Sequence, residues 1–284
     1  MLLDHVFLLT TFDWLLLESS AFRVVDLTHS QGVTTLYWPG NVDFNFTILA
    51  RGQTENFWLE ANWFGTAEHG GTHLDSPSHF SQGQWRTHQI PPSRLIGPGA
   101  VIDLKPQAIE NPDYRVTIRD LEKWEQSHGR IPNGAIVLIN FGWAHRYPNR
   151  SLVFNTNDTE NSTTFHFPGI HEDTARWMAA NRNISIVAVD TPSVDSGQAV
   201  HFPVHQIFGR NNIPGVENVA NIDALPVTGS TVFVGVIKLF DGSGGPTRIM
   251  ALIDDPCQNN GANQLSNGLP FLAFALLTCL LNKY

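Results

Sequence analysis

One short segment, residues 69–80, constrains this chain more than any other. It reads His-Gly-Gly-Thr-His-Leu-Asp-Ser-Pro-Ser-His-Phe, and its three histidines and one aspartate stand at positions 69, 73, 75 and 79. Two adjacent glycines and a proline disfavour a helix. In an extended chain, side chains alternate between two faces, so these four odd-numbered residues would all lie on one face.

The side chains on that face have the chemistry of metal ligands. Imidazole nitrogens and carboxylate oxygens together bind zinc, manganese and related divalent cations. We therefore predict a metal site here, with one histidine left over for proton transfer. The alternative is a structural polar cluster, since a chain with 12 histidines places some of them together by chance.

Composition indicates a globular protein. The chain has 284 residues, of which 42% are hydrophobic and 15% charged, which is enough for a sizeable core and argues against disorder. Its formal net charge is -9, and it contains no basic run, so we predict no nucleic-acid partner. The two cysteines, Cys257 and Cys279, stand too close to the C-terminus to crosslink the body of the fold.

Both ends of the chain resemble targeting segments. Residues 1–21 contain an apolar run that ends in Ser19-Ser20-Ala21, which predicts a signal peptide. Asp13 interrupts that run and no lysine or arginine precedes it, so a non-standard start or a docked N-terminal segment is the alternative. Residues 257–284 combine a polar spacer with an apolar tail, as in a GPI-anchor signal, although a buried or tail-anchoring helix has the same pattern.

Sequons for N-glycosylation agree with passage through the secretory pathway. Five asparagines begin an Asn-x-Ser/Thr triplet: Asn45, Asn149, Asn157, Asn161 and Asn183. Together with the two ends, they predict a glycoprotein that is extracellular or at the cell surface, where a lipid anchor would hold it in the membrane. A cytoplasmic location is the alternative.

The remaining pattern predicts one α/β domain over residues 22–256. Apolar runs at 99–104, 135–140, 185–189 and 231–239 have the Val- and Ile-rich composition of buried strands. Thr117 followed by Asp120 is a capping box that begins a helix ending at Gly129, and 169–182 predicts another helix. Strands and helices alternate without a linker. Residues 149–165 are polar, carry three sequons and predict an exposed insertion.

Three further groups are candidates for a site. His205 and Glu217 have the chemistry of metal ligands, but spacing alone cannot bring them to the first cluster. Ser193 follows a predicted strand but lacks the Gly-x-Ser-x-Gly elbow of a serine hydrolase, so we rank that mechanism below a metal-dependent one. The predicted aryl-binding wall comprises Trp38, Phe57, Trp58 and Phe64, with a core role as the alternative.

The pattern of the first segment resembles the signature of the metal-dependent cyclase family, which includes bacterial-type kynurenine formamidases and isatin hydrolases. The matching positions are His69-x-Gly71-Thr72-His73-x-Asp75-x-Pro77-x-His79. The segments 26–28, 38–40, 190–195 and 205–218 are similar to other family segments, so the resemblance covers about residues 22–250.

The resemblance implies a swivelling β/α fold around a mixed-sheet barrel. His69, His73 and Asp75 would bind one zinc or manganese ion, and His205 and Glu217 would complete a second or shared site. The reaction would be hydrolysis of an amide in an N-formyl arylamine or a small cyclic amide, as in the arylformamidase step of tryptophan catabolism. The family resemblance also implies a homodimer or homotetramer.

One further residue has an implied role of its own, since His79 would be the catalytic acid and base. Two other functions stay open. They are a catalytically inactive binding protein displayed at the surface, and a metal-dependent lyase or dehydratase.

Overall fold

A computed structural model describes residues 22–254 of the chain. The predicted signal peptide at 1–21 and the spacer and tail at 257–284 lie outside the described residues, so they stay predictions. Val24–Ile253 form one compact unit; the other unit, Met1–Arg23 with Asp254–Tyr284, lies almost wholly outside the described residues. Within the described part, no helix has both the length and the apolar character needed to cross a bilayer.

The described residues form twelve strands and five helices. The strands are β1 (Phe22–Asp26), β2 (Asn45–Gln53), β3 (Trp58–Gly65), β4 (His73–Asp75), β5 (Ile96–Asp103), β6 (Arg115–Val116), β7 (Ala135–Asn140), β8 (Gly169–Ile170), β9 (Ile184–Val189), β10 (Gly215–Glu217), β11 (Ser230–Val236) and β12 (Gly244–Asp254). The helices are α1 (Lys105–Glu110), α2 (Ile118–His128), α3 (Arg150–Phe154), α4 (Glu172–Asn181) and α5 (Pro203–Arg210).

Seven strands close into a mixed barrel, in agreement with the predicted α/β barrel fold. Their order is β12-β11-β5-β7-β9-β10-β4, and β4 pairs again with β12 to complete the ring. β5, β7, β9 and β10 run parallel, whereas the other pairings are antiparallel. β1 extends the sheet beyond β12.

Alternation along the strands separates the core into two layers. Val101 and Leu138 pair across β5 and β7 and belong to the layer inside the barrel, together with Leu74 of β4. Their neighbours Ile102 and Ile139 belong to the outer layer, which the helices cover. Every residue of β7 and β9 is buried, since parallel strands are covered on both faces.

The predicted helix after Thr117 is confirmed. The Thr117 side chain accepts a hydrogen bond from the Asp120 amide, and the Asp120 carboxylate accepts one from the Thr117 amide. Gly129, with φ of 83°, ends α2. The same face of α2 buries Leu121 and Trp124 against the barrel.

Two predictions, one of an extended segment and one of an exposed insertion, are corrected. Only His73–Asp75 of the 69–80 segment is a strand, because β10 and β12 pair with just these three residues, and a 3-10 turn over Pro77–His79 follows. The 149–165 segment is not wholly exposed. α3 buries Phe154, and Phe165 is buried beside it with their rings stacked at 4.2 Å.

Strands β2 and β3 form a separate two-stranded hairpin that leads directly into the 69–80 segment. The hairpin exposes large apolar side chains on both strands, including Phe46, Ile48, Trp58 and Trp63. Phe46 and Ile48 alternate with polar residues along β2, and both are exposed.

Candidate metal centre

The short strand β4 presents two polar side chains outside the barrel wall. Leu74 points into the barrel core, so His73 and Asp75 on either side of it point the opposite way. Both are buried. Oδ1 of Asp75 lies 3.2 Å from Nε2 of His73 and 2.7 Å from Nδ1 of His69, which precedes the strand.

Barrel closure brings the two distant ligand candidates to the same carboxylate. Glu217 of β10 is paired with His73 of β4, and its Oε2 lies 3.5 Å from Nε2 of His73. His205, on the first turn of α5, places Nε2 at 3.0 Å from Oδ2 of Asp75 and 3.1 Å from Oε1 of Glu217. The structure therefore brings together all five residues predicted as ligands.

Neighbouring groups orient two of these histidines. Nδ1 of His205 donates to Oδ2 of Asp195 at 2.6 Å, so its Nε2 faces the cluster. Nδ1 of His73 donates to the carbonyl oxygen of Gly71 at 2.9 Å, which also accepts from Nδ2 of Asn218 at 3.0 Å. Such bonds select the tautomer of a metal-ligating histidine.

A second chain of polar contacts supports His69. Its Nε2 lies 3.0 Å from Oγ of Ser243, and the Ser243 backbone amide and hydroxyl both donate to the carboxylate of Glu68. Sequence reasoning assigned no role to Asp195, Asn218, Ser243 or Glu68. Asp195 stands in a segment that resembles the family, but its contact with His205 depends on the tertiary fold.

The charges in this cluster fit a divalent cation. Burial raises the pKa of Asp75, but the surrounding histidines outweigh burial and hold that pKa well below its ordinary value. Burial lowers the pKa of His73, whereas its hydrogen bond to Asp75 and the negative charges of Asp75 and Glu217 raise it to about 9. Burial likewise opposes protonation of His205, yet bonds to Asp195, Asp75 and Glu217 raise its pKa well above the usual value. Without a cation, protons on His73 and His205 balance the negative charges of the neighbouring carboxylates. A bound cation would balance the same charges.

The donor atoms also fit such an ion by type and distance. Ligand-type atoms of His69, Asp75 and His79 lie within 4.8 Å of one another, and so do those of His73, Asp75 and Glu217. Asp75 belongs to both groups, so its carboxylate could be shared by two ions. Nitrogen and oxygen donors of this kind suit zinc or manganese.

His79 lies closer to the cluster than it would in the extended chain predicted for residues 69–80. The 3-10 turn over Pro77–His79 folds the chain back, and the His79 ring stacks on His69 with centroids 3.8 Å apart. Burial lowers the pKa of His79 to about 4, so its ring is neutral at pH 7. The geometry is compatible with the predicted acid-base role, and it also brings His79 within the distance of a ligand.

A cavity of about 260 Å³ opens onto the metal cluster. Its aromatic lining residues are Tyr37, Trp38, Phe80, Phe154 and Phe202. Of the predicted aryl wall, Trp38 lines this cavity and packs against Phe154 and Phe165. Ser193 also lines it, but its Oγ accepts a hydrogen bond from the amide of Asp195.

The prediction of an aryl wall is wrong for its other three residues. Phe57, Trp58 and Phe64 are 58%, 59% and 57% exposed, and none of them lines the cavity. They lie on the β2–β3 hairpin, whose two strands pair only with each other. Phe80, Phe154 and Phe202 line the cavity instead, and aromatic content alone cannot distinguish the two sets.

All five sequon asparagines are exposed: Asn45, Asn149, Asn157, Asn161 and Asn183. Exposure is a requirement for glycosylation. Two of these side chains also cap local structure, since Asn149 accepts from the Leu152 amide and Asn161 accepts from the Thr163 amide.

Known proteins are similar to this chain in sequence and in fold. A family model described as putative cyclase matches residues 25–196. The isatin hydrolase of Roseibium aggregatum is 31% identical over 202 residues, covering 68% of this chain and 74% of that protein. The kynurenine formamidase of Salinibacter ruber is 22% identical over 225 residues, covering 79% of this chain and 95% of that protein.

Solved structures agree with the sequence comparison. Isatin hydrolase A from Labrenzia aggregata, bound to benzyl benzoate, has a TM-score of 0.76 and 29% identity, covering 84% of this chain and 96% of that one. Isatin hydrolase A from Ralstonia solanacearum has a TM-score of 0.74 and 30% identity, covering 82% of this chain and 92% of that one. The chain belongs to the putative cyclase family.

Proposed function

We propose that this protein is a metal-dependent hydrolase that cleaves the amide bond of an N-formyl arylamine or a small cyclic aryl amide. The observation that carries the proposal is the position of Asp75. Each of its carboxylate oxygens contacts a histidine, and the cluster opens onto an aromatic cavity. The similarity to an isatin hydrolase and to kynurenine formamidases supports the same class of reaction.

The five converging residues would hold zinc or manganese, as one ion or two that share Asp75. They are His69, His73, Asp75, His205 and Glu217. When bound, such an ion makes water more acidic and polarises a carbonyl oxygen. The hydrogen bonds from His205 to Asp195 and from His73 to Gly71 fix which ring nitrogen faces the cluster.

His79 would transfer the proton. Because its ring is neutral at pH 7, a ring nitrogen can accept the proton that the attacking water loses. The same nitrogen then donates that proton to the departing amine, so His79 ends the cycle as it began. Such acid-base assistance contributes about 100- to 10,000-fold to a rate.

The cavity favours a flat apolar group beside the reacting bond. Trp38, Phe80 and Phe202 contribute aromatic walls within the same cavity as the metal cluster. An aryl ring buried there would leave the adjoining amide next to Asp75 and His79. The cavity volume of about 260 Å³ suits a compact substrate better than a polypeptide.

The decisive experiment uses full-length protein that is stripped with a chelator and reloaded with zinc or manganese. We expect stoichiometric metal and turnover of at least one of N-formylkynurenine, isatin and formanilide. Asp75→Asn should lose both metal and turnover, whereas Asp113→Asn, whose carboxylate contacts His166, should retain both. A metal-loaded protein that hydrolyses none of these amides would favour the binding-protein alternative, and elimination of water from a substrate would favour a lyase.

We also propose that the protein is a homodimer or homotetramer. Apolar side chains on the β2–β3 hairpin, among them Trp58 and Phe64, are exposed in the single chain, and exposed apolar clusters commonly mark subunit contacts. Light scattering should give the mass of two or four chains. Trp58→Ser combined with Phe64→Ser should dissociate the oligomer, whereas Phe240→Ser, at an exposed position outside the hairpin, should not. A monomeric wild-type protein would refute this.

We propose a secreted or surface-anchored location on the basis of the two terminal segments and the sequons. The exposure of all five sequon asparagines supports it. A mass decrease after glycosidase treatment would demonstrate the glycans. Release from cells by a phosphatidylinositol-specific phospholipase would demonstrate the anchor, and an unglycosylated cytosolic protein would refute both.

A further inference from the structure

One aromatic residue in the cavity has an unusual backbone. Phe202 adopts φ of 49° and ψ of 52°, the left-handed conformation, immediately before Pro203. A large side chain rarely adopts this conformation, and a residue that precedes proline is normally extended. The surrounding structure must therefore hold Phe202 in place.

The other described residues with positive φ provide a contrast. Apart from glycines, they are Asn155, Asn212, Asn218, Asn221 and Asp241. Asparagine and aspartate tolerate the left-handed conformation because their short side chains bond locally. Within residues 22–254, Phe202 is thus the one bulky side chain at such a position.

The Phe202 ring contacts other cavity residues. Its centroid lies 5.8 Å from that of Trp38 in an edge-to-face arrangement and 5.1 Å from that of Phe80. It also lies 5.8 Å from the ring of His205, a proposed metal ligand. Phe202 therefore spans the space between the aromatic wall and the metal cluster.

The same turn of the backbone begins α5. Phe202 precedes the helix, and the amides of Val204 and His205 donate to the Asp195 carboxylate at 2.9 and 3.1 Å. The left-handed turn thus directs the Phe202 ring into the cavity while the next turn of chain carries His205 to the cluster. A glycine would adopt this turn more readily but would supply no ring.

We propose that Phe202 is a specificity-determining residue that contacts the aryl ring of the substrate, beside Trp38 on the wall of the cavity. The inference rests on the proposed function for the identity of the substrate. Its strained backbone is retained because no unstrained residue with the same turn would place an aromatic face there.

The test measures recognition of a ring separately from catalysis. Full-length zinc-loaded protein is titrated calorimetrically with anthranilate and with acetate, two carboxylates that differ by an aryl ring. The variants are Phe202→Gly, which suits the turn but lacks the ring, and Phe202→Leu, which retains bulk. Asn155→Gly is the matched control, because it changes another left-handed residue whose exposed side chain does not line the cavity.

We expect Phe202→Gly to weaken anthranilate binding by about tenfold or more, the magnitude of a lost aromatic contact. Acetate binding, zinc affinity and the unfolding temperature should stay close to wild type. The anthranilate affinity of Phe202→Leu should lie between those of wild type and Phe202→Gly, and that of Asn155→Gly should match wild type. If Phe202→Gly does not fold, Phe202→Leu alone carries the comparison.

Three results would overturn the inference. They are equal anthranilate affinity in wild type and the Phe202 variants, equal losses for anthranilate and acetate, and a wild-type protein that does not prefer anthranilate to acetate. Failure of the proposed function has a different signature. If wild type hydrolyses no aryl amide but binds anthranilate in a Phe202-dependent way, only the hydrolase proposal fails.

Discussion

Asp195 offers the sharpest test of how the metal centre is built. Its Oδ2 accepts from Nδ1 of His205 at 2.6 Å and from the His205 amide at 3.1 Å, while Oδ1 accepts from the Val204 amide at 2.9 Å. Asp195→Asn can keep its side-chain oxygen toward His205. Its NH2 group then faces the Val204 N–H, and because both groups are donors, that hydrogen bond is lost. Asp195→Ala removes every one of these bonds.

These contacts set the expected magnitudes. Loss of a carboxylate that orients a metal-ligating histidine costs about 10- to 100-fold in metal affinity, equal to about 1.4–2.8 kcal/mol. We expect Asp195→Asn near the lower limit and Asp195→Ala near the upper one. Each variant should also lose about 0.5–2 kcal/mol of unfolding free energy, because Asp195 caps the first turn of α5.

The loss of affinity should depend on pH. In the metal-free protein, burial opposes protonation of His205, but its bonds to Asp195 and the other carboxylates raise its pKa, so a proton competes with the cation. Removing the Asp195 carboxylate weakens that competition. The ratio of wild-type to variant zinc affinity should therefore be larger at about pH 9 than at about pH 6.

Competition between the protein and a chromophoric chelator for zinc measures these affinities, with thermal unfolding in parallel. Asp190→Asn is the matched control. Asp190 is close to Asp195 in the sequence and is also buried, but its carboxylate accepts hydrogen bonds from the amides of Phe141 and Trp143 and none from His205. It should lose stability and keep zinc affinity. If both Asp195 variants bind zinc within about threefold of wild type while their unfolding temperatures fall, then Asp195 only caps the helix and does not orient His205 for metal binding.

Three further predictions concern the same cluster. His79→Ala should retain zinc and lose about 100- to 10,000-fold in turnover of an aryl amide, measured with metal analysis on the same sample; loss of the ion as well would make His79 a ligand. Zinc affinity, measured by calorimetry, should rise by about tenfold or more per pH unit from pH 6 to pH 8, because His73, with its pKa raised to about 9, and His205, with its pKa also raised, must each release a proton; a pH-independent affinity would contradict this. Gly244→Ala should cost about 1–3 kcal/mol in unfolding free energy even without metal, because its added Cβ would lie 2.4 Å from Cε1 of His69, whereas Gly32→Ala has open space; equal melting of the two variants would disprove the clash.

Local features were the most predictable from the sequence. The capping box of Thr117 and Asp120 begins α2 as predicted, and Ala135–Asn140 is a strand with the bounds of its apolar run. Each depends on residues that are neighbours in the chain, so spacing and residue type are sufficient to predict it.

Aromatic content was a poor guide to the cavity. Phe64 and Phe154 are the same residue type, yet one is exposed on the hairpin and the other is buried at the cavity wall. The difference depends on what packs against each segment. Neither periodicity nor composition records such long-range packing.

Residue identity alone indicates which donors are available, because imidazole and carboxylate chemistry belongs to the residues and not to their arrangement. Local patterns likewise predict the buried strands and a helix boundary. Which donor atoms meet depends on the fold. His205 and Asp75 are 130 positions apart and become neighbours because β4 pairs with both β10 and β12, and that pairing closes the barrel. Closure is a property of the whole sheet, so no single segment of the chain could have specified the site.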